Sequence, residues 1–92
     1  MKILKDIYAE GAVILDVRTP EEYHEDHLSD AVLFPLDQLV LQSVDLNKEL
    51  PIITYCAHGV RSQIATQILR QRGYEAYDGG AMPALKKVLF DL

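Results

Sequence analysis

The chain has 92 residues, 14 acidic against 9 basic, a net charge of −5, 49% hydrophobic and 25% charged residues, one cysteine and no tryptophan. That size and mix point to one globular domain over residues 1–92, able to bury roughly 60–70% of its unfolded surface. A lone cysteine excludes an internal disulfide framework, a multi-cysteine zinc site and an iron–sulfur cluster; the acidic balance argues against a nucleic-acid partner, and the short apolar runs against a membrane span.

Ile3, Leu4, Ile7 and Tyr8 share one face at helical spacing, with Gly11 as the stop. Ala12 to Asp16 is a short apolar run, predicted as a buried strand. Thr19-Pro20-Glu21-Glu22 is a helix start. Thr19 can accept from first-turn amides, Pro20 suits the first helical position and Glu22 closes a capping box, so a short helix runs to about Asp26. Ala31 to Phe34 reads as a second strand stopped by Pro35, and Leu36, Leu39 and Val40 mark another short helix. Asp45 to Lys48 is a polar connection. Pro51 to Tyr55 is a β-branched and aromatic third strand. Residues 56–61 form a loop, and Ser62 to Arg72 is the clearest helix, with Ile64, Ala65, Ile68 and Leu69 as its core stripe and Gly73 as its end. Tyr74 to Tyr77 is a fourth strand, Gly79-Gly80 a turn, and Ala81 to Phe90 a last helix interrupted early by Pro83.

Strands alternating with helices call for an open α/β fold: a parallel sheet of four to five strands flanked by helices on both faces. In such sheets functional loops lie beyond the carboxyl ends of the strands. Cys56 directly follows the third strand and so stands where a site belongs. The amides of Cys56-Ala57-His58-Gly59-Val60-Arg61 should curl toward the sulfur at a helix N-terminus, which favours a thiolate. Gly59 permits a positive φ, Arg61 brings a charge to the rim or braces the loop, and Ser62 can cap the helix or donate to the sulfur. A free cysteine is most often an inert small hydrophobe; this strand–loop–helix setting reverses that expectation. The charge is also uneven. Residues 1–50 hold eleven acids and four bases, whereas residues 51–92 hold three acids and five bases.

The run Cys56-Ala-His-Gly-Val-Arg-Ser62 resembles the active-site loop of single-domain rhodaneses, which are thiosulfate-type sulfurtransferases. Leu15-Asp-Val-Arg-Thr-Pro-Glu-Glu-Tyr23, His27-Leu-Ser-Asp-Ala31 leading to Pro35, and Tyr74 through Asp78-Gly79-Gly80 resemble further segments of that family, in the same order. The resemblance implies a Cys56 persulfide formed from a small anionic donor such as thiosulfate or a polysulfide, and passed to cyanide, a thiol or a protein thiol in two half-reactions. It implies no metal or organic cofactor. It also suggests that Asp16 and Arg18, placed to pair at the end of the first strand, buttress the active-site face. His27 follows an acidic helix and reads as a hydrogen-bonded loop anchor in preference to a proton-transfer group. His24 and His27 alone are a weak metal pair.

Two rival readings stand beside it. Cysteine phosphatases and arsenate reductases also cradle a thiolate in an amide-lined loop, but with one residue more between Cys and Arg than the four here, Ala57 to Val60. No aspartate general acid is identifiable in the sequence either, with Asp78 left open. A non-catalytic rhodanese-like interaction module is the other, and the presence of Cys56 argues against it. His58 should face solvent and incoming substrate. The chain departs from the family's pattern in lacking a tryptophan after the double glycine, where Leu85 can take over the packing, and in carrying Asp30 where glycine is common. Its N-terminal edge strand is absent or reduced to Met1–Ile3, so an exposed sheet edge offers a dimer surface, and a monomer or weak homodimer is expected. With no signal-peptide core, the expected compartment is the cytoplasm, with no membrane partner.

Overall fold

The computed structural model describes residues 3–90. Its elements in chain order are α1 (Leu4–Ala9), β1 (Val13–Asp16), α2 (Pro20–Glu25), β2 (Val32–Leu33), α3 (Leu36–Leu41), β3 (Ile52–Cys56), α4 (Val60–Gln71), β4 (Ala76–Ala81) and α5 (Met82–Phe90). The four strands pair in parallel in the order β2-β1-β3-β4. β3 is therefore central, and all five of its residues are buried.

A two-residue period along the strands builds two cores. Leu15, Ile52 and Cys56 join Leu39 of α3 and Ala65 and Leu69 of α4 on one face. Ile14, Ile53 and Tyr55 join Ile7 of α1 and Leu85 and Leu89 of α5 on the other. The open α/β architecture is thus the expected one, with four strands among the described residues. Met1 and Lys2, part of the stretch expected to hold any residual edge strand, lie outside them, and Ile3 is the extended N-cap residue of α1 and belongs to no strand.

Several boundaries differ from those read in the sequence. The second strand shrinks from Ala31–Phe34 to Val32–Leu33: Ala31 donates to the Leu28 carbonyl in a turn, and beyond Leu33 the Phe34 and Leu36 amides still donate to the Asp16 and Val17 carbonyls while Pro35 between them has no amide to give. Asp30 in that turn holds a left-handed backbone, φ 65°, the conformation for which a glycine is the easier choice.

The pair Gly79-Gly80 is not a turn. It lies inside β4, which continues to Ala81 and pairs Ala81 with Cys56 after a register shift between Thr54 and Cys56. The physical reason is close approach: a Cβ on Gly79 would stand 2.5 Å from the Thr54 carbonyl oxygen and 2.7 Å from Leu85 Cδ2. Glycine is needed to let two backbones meet, and not to reverse the chain. Pro83 does not interrupt the last helix either, since it sits in the first turn of α5, where a missing amide is harmless. Leu85 is fully buried, packed against Gly79.

Candidate active site

β3 delivers Cys56 to the carboxyl edge of the sheet, and α4 begins only four residues later. The helix starts at Val60 and not at Ser62, because Gly59 takes φ 98° as its N-cap and turns the chain at once. No side chain of the N-cap residue caps this helix. Instead, the Gly59 amide donates to Cys56 Sγ at 3.0 Å and the Ser62 amide donates at 3.3 Å. The sulfur thus accepts from the start of α4 while Cys56 itself is 1% exposed.

Burial opposes ionisation of this thiol. The Ser62 hydroxyl and amide, together with the Gly59 and His58 amides, favour the charged form and prevail, so the thiol pKa lies below its ordinary value. Ser62 does not cap the helix as its N-cap residue. It lies in the first turn, where its hydroxyl also reaches the Gly59 carbonyl at 3.2 Å. Ser62 is itself fixed from beneath. The Thr54 and Thr66 hydroxyls stand 2.8 Å apart and reach its carbonyl at 3.1 and 2.8 Å. These two threonines were not legible as site residues.

Arg61 braces the loop through α2. Its Nη1 and Nη2 donate to the two carboxylate oxygens of Glu22 at 2.7 and 3.0 Å. Glu22 also completes the expected capping box with Thr19. The Arg61 guanidinium holds the Glu22 carboxyl down at about 2, against the opposing effect of burial and with help from Thr19. Of the remaining loop residues, Ala57 is half-buried, while His58 and Val60 are exposed. Gly59 stands beside Gly80 and Ala81, so the end of β4 forms one wall of the loop.

Asp16 and Arg18 do pair, and both are buried. Arg18 forks onto the carboxylate, with Nη2 donating at 2.7 Å and Nε at 3.0 Å, and its Nη2 also donates to the Asp26 carbonyl at 2.6 Å. A partner the sequence did not reveal is Tyr55. Its hydroxyl donates to Asp16 Oδ2 at 2.6 Å and accepts from the Leu28 amide at 3.1 Å. The residue immediately before Cys56 is therefore tied to β1 and to the segment leading into β2. His27 Nδ1 donates to the Tyr23 carbonyl at 2.8 Å and its ring stacks on Tyr23 at 3.7 Å, an anchoring geometry. His24 and His27 gather no third ligand, and the described residues contain no cluster of three or more potential metal-binding side chains. Asp78 is exposed and accepts from the Gly80 amide at 2.9 Å. A shallow apolar groove of about 550 Å³ runs from Arg61 along Val17, Leu36, Val40 and Leu41.

A parallel α/β domain carrying a thiol at the carboxyl end of an interior strand, held by amides of the following loop and helix, belongs to the class of open α/β folds that present a cysteine at the head of a helix. The model of the rhodanese-like domain family matches residues 1–82, and the chain belongs to that family. It is 36% identical over 63 residues to the thiosulfate sulfurtransferase GlpE of Coxiella burnetii, an alignment covering 68% of this chain and 59% of that protein. A rhodanese homologue from Thermus thermophilus superimposes with a TM-score of 0.73 at 30% identity, covering 89% of this chain and 92% of that one. The human single-domain sulfurtransferase TSTD1 superimposes with a TM-score of 0.71 at 26% identity, covering 88% and 87%. The matched segment thus spans about three fifths of the length of the curated relative. No described helix is long and apolar enough to cross a membrane.

Proposed function

We propose that this protein is a sulfurtransferase that carries sulfane sulfur on Cys56. The observation that carries the reading is the four-residue span from Cys56 to Arg61, in which the Gly59 and Ser62 amides close on the sulfur at 3.0 and 3.3 Å. A loop this short suits one added sulfur atom better than a tetrahedral phosphate. The family match and the names of the relatives support the same chemistry.

In the first half-reaction the Cys56 thiolate attacks the outer sulfur of a donor. With thiosulfate, the Sγ–S bond forms as the sulfur–sulfonate bond breaks, and sulfite leaves with the electron pair. The outer sulfur then carries the negative charge, where the loop amides stabilise it. In the second half-reaction an acceptor thiolate, small or on a protein, or cyanide, attacks that outer sulfur, and the electron pair of the broken bond returns to Cys56 as thiolate. Ala57, His58, Gly59, Val60, Arg61 and Ser62 form the substrate loop. Asp16, Arg18 and His27 support it structurally. The reaction needs no metal or organic cofactor, and a reducing cytoplasm is the setting that preserves such a thiol.

Intact mass spectrometry after exposure to thiosulfate tests this. The expected result is the gain of one sulfur atom, lost on treatment with cyanide or dithiothreitol and absent in Cys56→Ser. A wild type that takes up no sulfur from thiosulfate, polysulfide or a persulfidated thiol overturns the proposal in favour of an interaction module. Cys56-dependent hydrolysis of an aryl phosphate overturns it in favour of phosphate chemistry.

A further inference from the structure

Thiosulfate brings two negative charges to a site whose nucleophile is already an anion. The arginines of the catalytic face offer no unpaired charge to meet them. Arg61 directs both terminal nitrogens to Glu22. Arg18 is forked onto Asp16 and donates to the Asp26 carbonyl. The groove beside Arg61 adds a further acid, Asp37. Lys86 and Lys87 line a separate concavity with Pro83 and Phe90. Arg70 and Arg72, in and just after the last turn of α4, donate to the Ala76 and Gln42 carbonyls. Of the loop side chains, Ala57, Gly59 and Val60 carry no charge, which leaves His58 as the ionisable one besides Arg61.

The Glu22–Arg61 pair is also not a loose surface contact. Glu22 is fixed by Thr19 in the capping box and meets Arg61 through two parallel bonds. The charge that would recruit a sulfonate is therefore cancelled by a carboxylate held in place.

We infer that the preferred donor of this site is an organic hydropersulfide, RSSH, and that Glu22 sets the preference by cancelling the charge of Arg61. This rests on the Cys56 persulfide reading. The step balances without an oxidant or reductant. The thiolate attacks the outer sulfur, the Sγ–S bond forms, the RS–S bond breaks, and the electron pair leaves on RS⁻. The proton stays on the transferred sulfur and passes to water when the loop amides take the persulfide as an anion. The donor brings no charge as RSSH and one as RSS⁻, so one or two negative charges meet in the transfer, whereas thiosulfate gathers three on the same few atoms.

The test compares loading of Cys56 by thiosulfate and by freshly prepared propyl hydropersulfide in the wild type and in Glu22→Gln. Glutamine can keep the capping box while the charge is removed. The two donors differ in intrinsic reactivity, so the deciding quantity is the change in the ratio of their kcat/KM values. The expected result is a rise of about tenfold in the thiosulfate-to-hydropersulfide ratio, carried by the KM for thiosulfate. The same gain is expected in a His58→Gln background. In Arg61→Gln, which leaves Glu22 uncancelled, thiosulfate use falls about tenfold further than hydropersulfide use. An unchanged or lower thiosulfate ratio in Glu22→Gln, or equal losses for both donors in Arg61→Gln, overturns the inference while leaving sulfur transfer intact. Failure of both donors to add sulfur to the wild type overturns the underlying function as well.

Discussion

Tyr55→Phe removes one oxygen atom from the interior of the fold. The residue is fully buried, and its hydroxyl joins the Asp16 carboxylate at 2.6 Å to the Leu28 amide at 3.1 Å. A hydrogen bond to a charged group contributes about 1.5–3 kcal/mol, and a buried amide stripped of its partner costs about 1–3 kcal/mol. Asp16 keeps its fork to Arg18 and its bond from the Arg18 amide, so the carboxylate is not orphaned. The expected loss is therefore about 3 kcal/mol, near the lower end of the combined range of about 2.5–6 kcal/mol. For a domain of this length that lowers Tm by about 15 °C. Burial, and then Asp16, push the Tyr55 pKa well above its ordinary value. The hydroxyl thus remains a donor through the neutral range, and the loss is flat with pH there. Urea unfolding followed by circular dichroism measures it, with the midpoint moving and the slope unchanged. A loss below about 1 kcal/mol would refute the claim that this hydroxyl ties β3 to β1 and the segment before β2.

The other expectations concern two backbone sites and the sulfur. Gly79→Ala drives a methyl group to 2.5 Å from the Thr54 carbonyl of the central strand, and is expected to cost about 3 kcal/mol or to abolish soluble expression. Gly80→Ala meets open space and is charged only for its φ of 79°, about 1–2 kcal/mol in the same unfolding assay. Equal midpoints for the two variants would refute the close-approach account. Ser62→Ala removes a bond that favours the thiolate, so the Cys56 pKa rises toward its ordinary value. The midpoint of iodoacetamide alkylation rate against pH should move upward, and a midpoint that stays or falls counts against the role of the hydroxyl.

Features written in adjacent residues were legible before any coordinates. The Thr19–Glu22 capping box, the Gly73 stop of α4 and the alternation of apolar strands with helices all follow from local chemistry. So did Cys56 and its loop, since a strand, a cysteine, a glycine and a helix in immediate succession leave little choice of geometry. What escaped was long-range pairing. The Tyr55–Asp16 and Arg61–Glu22 contacts each join residues 39 positions apart. Tyr55 read as a strand aromatic and Glu22 as a cap, and both descriptions were true without being complete. Gly79-Gly80 misled for a different reason. Double glycine most often reverses a chain, but here Gly79 admits a neighbouring backbone, and only the register of β4 on β3 distinguishes the two.

The sulfur of Cys56 does the work that a serine or aspartate oxygen does at other helix starts: it accepts the Ser62 amide in the third position of α4 and the amide of its N-cap residue. The thiol is thus part of the scaffold that positions it. On the proposed function, conversion to an anionic persulfide would keep a negative sulfur at the positive end of the helix and so preserve the cap. An alkylating agent or irreversible oxidation replaces that small acceptor with a bulkier or differently shaped group, and the first turn of α4 loses its anchor at the same moment the active site loses its thiol. Alkylation of Cys56 is therefore expected to lower the unfolding midpoint as well as to block the thiol.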